Sequence, residues 1–346
     1  MNEKKILYKK NKDKITLKDI AEIAGVTSMT VSRVVSGKGL VKESTRNKIL
    51  KIVRELDYKP NLLARSLSSM RSMTIGIIIP KTEQVFLDNY LAQVLSGVMT
   101  VVKEHDYKLM IYPVEEIEGA ENLYLTVAHS KLVDGIILLK PKIDDKNLKS
   151  LAKSGFPYIL INHRTNGDDL NFIDTNIYNS TINVVKYLYE KGCHDIGFVA
   201  GNLDEQNCLD QLEGFKAGLK QMGLPFNPEQ VVYAKSNAGK AYTDIETWIN
   251  NKKKPDAIFC ANDYMAIAVM DRLKSEGIAV PDEIAVVGFN DIDLARFTRP
   301  TLTTVKQPLL RIGKKAAESL IDLIEENKNV PVQVFIDLQL MIRESA

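Results

Sequence analysis

Apolar and polar positions change rhythm along the chain. Over residues 16–56 the apolar positions recur three and four apart, which is helical spacing. Leu17, Ile20, Ala21 and the pair Ile23–Ala24 form one stripe. Thr16 precedes it as a cap, with Asp19 three residues on in a capping-box arrangement. Gly25 ends this helix, since glycine accepts the left-handed conformation a helix stop requires. Thr27 caps a second helix whose inner face is Val31, Val34 and Val35. A third helix, from Glu43 to about Leu56, adds Ile49, Ile52, Val53 and Leu56 to a small core. Two short helices joined by a glycine-containing turn are the helix-turn-helix pattern.

From Met73 the period shortens. "MTIGIIIP", "YKLMIY", "DGIILL" and "YILIN" are short runs rich in isoleucine and leucine. Helical stretches such as "NYLAQVLSGVMTVVKEH" separate them. Continuous apolar runs alternating with helices predict βαβ winding around a parallel sheet covered on both faces. The rhythm repeats from Asp195 with "DIGFVAG", "QVVYA", "DAIFCAND" and "EIAVVGFND". Two α/β units in tandem are expected. Between head and body lies "NLLARSL", Asn61 to Leu67, which reads as barely two turns of helix capped by Asn61. A helix this short is unstable alone in water, yet Leu62, Leu63 and Leu67 make it too apolar for a passive linker.

Charge sharpens the division. Residues 1–71 hold 17 Lys and Arg against 7 Asp and Glu, a net of +10, and the remainder holds 29 against 37, a net of −8. A basic head on an acidic body suggests a polyanion-binding module, the alternative being a solvated lysine-rich tail. The tight turn spacing and basic balance together favour a second helix presented to the DNA major groove over a helical bundle that binds protein. The three cysteines form no CxxC pair, and no apolar run approaches a membrane span. The lysine-rich start lacks the apolar core of a signal peptide, so a cytoplasmic location is expected. No P-loop, GxGxxG after a strand, GxSxG or HExxH occurs, so neither catalytic residues nor a cofactor or metal are expected. The histidines at 105, 129, 163 and 194 lack ligand spacing and read as surface or loop residues.

The stretch "TLKDIAEIAGVTSMTVSRVVSG…VKESTRNKILKIVRELDYKPNLLARSL" resembles the DNA-binding head of the lactose/galactose repressor (LacI/GalR) family, and the similarity continues to the C-terminus. The resemblance implies three parts. Residues 1–59 are the helix-turn-helix head with its basic tail, and 60–72 the hinge helix and linker. Residues 73–346 are an effector-binding and dimerisation body of parallel sheets, like a periplasmic sugar-binding protein. Its lobe 1 is about 73–174 and 306–335, and its lobe 2 about 175–305 and 336–346, with crossings near Asp174, Lys306 and Phe335. The implied function is a sequence-specific transcriptional repressor, a homodimer on near-palindromic double-stranded operator DNA, gated by a small polar effector. The alternative is control by a partner protein docking on the body. An enzyme or free-standing binding protein would not explain the head.

Carried over position by position, Thr16, Thr27, Ser28, Met29, Thr30, Ser32, Arg33 and Lys42 are expected to face DNA. An arginine can grip a guanine edge with two hydrogen bonds, and Met29 offers only apolar contact. The hinge adds Asn61 and Leu67, the latter as a wedge between base pairs that bends the duplex. Ser36 and Lys42 depart from the family's usual Asn and capping Ser.

For the effector, Asn162, Asn262, Asp263 and Asn290 follow strands at the carboxyl ends, where ligands of such sheets bind. Asp263 and Asp291 there either meet ligand or cap the next helix. Tyr90 and Phe172 match wall positions and could equally be core. Gln211 in "LDQLEGF" stands where sugar-binding relatives carry arginine, Asn290 where they carry aspartate, and Ser236 in "AKSNAGKAY" in place of an aromatic wall. The expected cleft keeps hydrogen-bonding groups but has lost much of its charge, which implies an uncharged ligand.

Overall fold

A computed structural model of the chain describes residues 15–35, 39–58, 71–79, 89–113, 123–143, 145–164, 170–250, 254–326 and 331–346. Ser36, Asn61, Leu67 and the proposed hinge lie outside them. The chain forms two compact units, 1–72 and 73–346.

In the first unit three helices enclose a small core: α1 (Leu17–Ala24), α2 (Ser28–Val35) and α3 (Glu43–Glu55). Ile20, Ala21 and Ala24 meet Val31, Val34, Ile49, Ile52 and Leu56, all buried. The capping box at Thr16 is formed: the Asp19 backbone N donates to Thr16 Oγ1 at 3.4 Å, and the Thr16 backbone N donates to Asp19 Oδ2 at 2.8 Å. Gly25 ends α1 at φ 67° and donates back to Ala21 and Glu22 carbonyls. The turn therefore has the geometry its glycine foretold.

The second unit holds two six-stranded sheets. The first uses β1 (Thr74–Ile79), β2 (Lys108–Pro113), β3 (Gly135–Leu139), β4 (Tyr158–Ile161), β5 (Phe172–Thr175) and β11 (Gln333–Ile336) in the order β11-β5-β4-β3-β1-β2, all parallel. The second uses β6 (Ile196–Ala200), β7 (Val231–Tyr233), β8 (Ala257–Cys260), β9 (Ala285–Asn290), β10 (Thr303–Lys306) and β12 (Gln339–Met341) in the order β12-β10-β9-β8-β6-β7. Its edge strand β12 runs antiparallel to β10. The short strands β5 (FIDT), β10 (TTVK), β11 (QVFI) and β12 (QLM) escaped the apolar pattern because polar residues interrupt each of them.

Helices cover both faces of each sheet, which is why central strands lack polar alternation. In the first lobe Ile75, Ile77, Ile137, Ile159 and Ile161 pack toward α4 (Asn89–Glu104) and α12 (Leu309–Glu326). Ile78, Ile136, Leu138 and Leu160 pack on the other face, beneath α5 (Leu123–His129) and α6 (Lys146–Ser154). The second lobe surrounds its sheet with α7 (Ile177–Glu190), α8 (Gln206–Gln221), α9 (Ala238–Asp244), α10 (Glu246–Ile249) and α11 (Asp263–Ser275) around stacked Phe198, Phe215 and Phe259. The chain passes between lobes after Thr175, after Lys306 and after Ile336.

Helices α4 and α12 approach until backbone meets backbone. A Cβ on Gly97 would lie 2.2 Å from the Leu310 carbonyl oxygen, and one on Gly313 would lie 2.1 Å from the Val94 carbonyl oxygen. Backbone cannot swing aside as a side chain can, so even one methyl group overpacks this crossing. Gly313→Ala should destabilise the protein by about 2–3 kcal/mol. A reduced midpoint in urea denaturation checks it; an unchanged midpoint would show that the two helices slide apart without cost.

Candidate functional site

Two surfaces carry polar chemistry. On the head, Thr27 Oγ1 accepts from the Thr30 backbone N at 3.3 Å, and the two hydroxyls share a hydrogen bond at 3.0 Å. The cap thus occupies both threonines and fixes the start of α2. Met29, Ser32 and Arg33 project to solvent, Met29 at 66% exposure, while Ser28 and Thr30 are half-buried. An exposed methionine at this position packs no core. Lys42 precedes α3 and makes no side-chain cap, as its departure from serine foretold. Thr16 is exposed, and its hydroxyl donates to Asp19 at 2.7 Å.

The second surface lies where the two sheets present the carboxyl ends of their parallel strands. Six of the ten non-glycine residues with positive φ among those described fall at these ends: Lys140 after β3, Asn162 after β4, Lys235 and Ser236 after β7, Asn290 and Asp291 at the end of β9. Left-handed backbone costs such residues free energy and tends to collect at functional sites.

In lobe 1, Asn162 is buried and its Nδ2 donates to the Tyr90 hydroxyl at 2.9 Å. The Lys140 ammonium stands 4.2 Å from the centre of the Tyr90 ring. In lobe 2, Gln211 is buried on α8, and its Nε2 donates to the Ala261 carbonyl at 3.1 Å. At the second crossing, Gln307 Nε2 donates to Asn290 Oδ1 at 2.7 Å. Asn162, Gln211 and Gln307 each direct an N–H to the protein, whereas Asn290 commits its oxygen. The oxygens Asn162 Oδ1, Gln211 Oε1 and Gln307 Oε1 are buried without a hydrogen-bond partner, as are Thr175 Oγ1 and Asn207 Oδ1. A carbonyl can only accept, so the Ala261 contact settles which end of the Gln211 amide is orphaned.

Several expected roles are overturned. Phe172 is no cleft wall: it sits at the amino end of β5 in the lobe 1 core, edge-on to Phe335 with ring centres 5.4 Å apart. Asp263 neither caps α11 nor turns to the cleft. Its Oδ1 accepts from Thr304 Oγ1 at 2.5 Å and its Oδ2 from the Ile292 backbone N at 2.8 Å, which ties β10 and the segment after β9 to the start of α11. Asn262 is the cap, its Oδ1 accepting from Met265 N at 2.9 Å. Asp291 pairs with Arg343 and, at 3.6 Å, with Arg296. Ser236 accepts from the Asn202 backbone N at 3.2 Å. His163 is not a surface histidine. It is fully buried, and burial pushes its pKa below the ordinary imidazole value.

The cleft is also richer in charge than its sequence suggested. Arg164 pairs with Asp174, at the end of β5, and with Asp210 of α8 at 2.8 Å. Lys140 pairs with Glu205 at 3.4 Å. Charges lost at the motif positions reappear a few residues away. "YILINHR" already contained Arg164, but nothing in its local pattern joined it to acids 10 and 46 residues later.

A helix-turn-helix head and a two-lobed, cleft-bearing body define a DNA-binding transcriptional regulator with a ligand-binding body. Residues 16–61 match the model for bacterial regulatory proteins of the lacI family, and residues 185–346 match a periplasmic binding protein-like domain. The chain is 32% identical over 332 residues to the HTH-type transcriptional repressor PurR of Photobacterium profundum, covering 95% of this chain and 98% of the relative. Its fold is similar to that of the lac repressor dimer bound to operator and the anti-inducer ONPF, with TM-score 0.83, 25% identity, and coverage of 96% of this chain and 98% of the other. It is similar as well to the transcriptional regulator CelR in its cellobiose complex, with TM-score 0.73, 26% identity, and coverage of 96% and 100%. The chain belongs to the LacI family of transcriptional repressors. No helix among the described residues is long and apolar enough to cross a membrane.

The Asp263 carboxyl generates a pH test. Burial raises its pKa to about 6, above the ordinary aspartate value. The folded protein therefore holds this proton over a range where the unfolded chain has lost it. Through this group, stability falls as pH rises from about 4 to about 6 and stays lower above that. Asp263→Asn removes this contribution. Relative to wild type, the variant should gain up to about 3 kcal/mol between about pH 4 and pH 7. Urea denaturation at both pH values checks it; parallel pH profiles for the two proteins would contradict it.

Proposed function

We propose that this protein is a cytoplasmic repressor that binds a near-palindromic operator as a homodimer, with its DNA affinity set by an uncharged, donor-rich ligand in the inter-lobe cleft. The observation that carries the ligand class is the set of amides with committed N–H groups and orphaned oxygens at residues 162, 211 and 307. A buried acceptor left without a partner costs about 1–3 kcal/mol. A ligand rich in hydroxyl or N–H groups recovers that cost. A carboxylate or phosphate brings further acceptors against them. The cellobiose found with the related CelR is a ligand of this hydroxyl-rich kind.

On the head, Arg33 and Ser32 are read as reaching the major groove, Met29 as making apolar contact there, and Thr27, Ser28, Thr30 and Thr16 as lining the same face. With no side-chain cap at Lys42, the first N–H groups of α3 are available to a backbone phosphate beside the lysine. Asn61 and Leu67 complete the contacts in this reading, Leu67 as the wedge.

Operator affinity should fall on the order of a thousandfold between about 50 and 200 mM salt, as expected for six or more phosphate contacts. Gel shifts with palindromic and scrambled DNA check this; a flat salt response or equal affinity for both DNAs would refute operator recognition. Leu67→Ala should lose operator affinity while circular dichroism stays unchanged. For the cleft, calorimetric titration of the full chain with neutral sugars and nucleobases, against the matching sugar acids, should give heat only with the neutral compounds. Gln211→Ala should abolish the response to the active compound and leave operator binding intact. Should Gln211→Ala and Gln307→Ala both respond normally, the cleft is not the sensor and control by a docking partner protein takes its place.

A further inference from the structure

The cleft is spanned by ionic contacts that its ligand chemistry does not require. Arg164 extends from the loop after β4 in lobe 1. It meets Asp174 at the end of β5, where the chain first crosses, and Asp210 on α8 in lobe 2 at 2.8 Å. The same guanidinium lies 5.9 Å from the ring centre of Phe335, on the strand before the third crossing. A second tie runs from Lys140 to Glu205 at 3.4 Å. Beside it Lys142 forms an antiparallel bridge with Glu205, and the Ile143 backbone N donates to the Asp204 carbonyl at 3.2 Å. Both cations come from lobe 1, and both lobe 2 acids stand at or near the start of α8.

We propose that Arg164 and Lys140 form an ionic latch that holds the two lobes closed without any effector, and that Arg164 does so by neutralising two carboxylates that otherwise repel across the cleft. Asp174 is 2% exposed and Asp210 10% exposed. Neither has bulk water to screen its charge, so pairs here count for more than surface pairs. With Arg164 removed, the same geometry sets two buried acids from opposite lobes against each other. The closed setting is thus written into the chain. A ligand then acts on it along one connected path, since Asn162 donates to Tyr90, Lys140 covers the Tyr90 ring, and Lys140 holds Glu205. A ligand that engages Asn162 is positioned to change the tie at Glu205.

This inference rests on the inter-lobe cleft being the moving part. Its test uses neither ligand nor DNA, so its failure is distinct from failure of the effector reading. Spin labels are placed on cysteines introduced at exposed Lys149 of α6 and exposed Lys220 of α8, one per lobe, in the full chain; the native cysteines are buried. Pulsed dipolar spectroscopy then reads the inter-lobe distance. Wild type should give one narrow distribution without ligand. Arg164→Gln should broaden and lengthen it. Adding Asp210→Asn to Arg164→Gln should restore much of the wild-type distribution, because the repulsion goes with the charge. A merely structural role for Arg164 would not be rescued by deleting a carboxylate. Lys140→Met, which leaves the buried cluster intact, should broaden the distribution to a smaller degree. An Arg164→Gln distribution identical to wild type, or no recovery in the double variant, overturns the latch. Should Arg164→Gln not fold, the latch stands if the double variant folds with the wild-type distance, and falls if the double variant too fails to fold or folds with a longer, broader distribution.

Discussion

The body depends on one constraint: parallel strands must all end on the same side of their sheet, and both sheets turn that side to the same gap. A parallel connection returns the chain through a helix, so polar loops collect at the carboxyl ends and apolar runs stay inside. Three chain crossings at this gap then tie lobe 1 to lobe 2. Everything of chemical interest in the body follows from that placement. Six left-handed residues, the orphaned amide oxygens of Asn162 and Gln307, and the cations Lys140 and Arg164 stand where strands stop and hydrogen bonding to a ladder ends.

Within that frame, polar groups divide by whether the fold already satisfies them. Asp263 and Asn262 look like ligand groups from their position, yet both Asp263 oxygens are occupied, by Thr304 and Ile292, and the Asn262 oxygen is occupied by Met265. Asn162, Gln211 and Gln307 are occupied only at the nitrogen. A half-satisfied buried amide is destabilising alone and useful beside a ligand. Charge follows the same division. Gln211 replaces an arginine expected in sugar-binding relatives, while Arg164 supplies a cation from the opposite lobe and commits it to Asp174 and Asp210.

Much of the architecture was legible in the chain. Helix starts and stops in the head are set by neighbours a few residues apart, as with Thr16 and Asp19 or Gly25 after Ala24, and these form as read. Central strands such as β1 and β3 announce themselves because burial on both faces leaves no polar alternation. The shift from a basic head to an acidic body likewise needs only the order of residues.

What the chain order alone determined, then, was everything governed by local spacing: caps, periods, the two-unit body and the division of charge. Tertiary structure decided which polar side chains keep a free hydrogen-bonding atom. Phe172 became core because its strand register places it against Leu160 and Gln333, at the end of the sheet away from the gap. His163 became buried, and Arg164 met acids from two lobes, because folding brought together positions with no common periodicity. A hydrogen bond or ion pair is a property of distance in space. Residues 164, 174 and 210 acquire it only when two separately wound sheets close on one another.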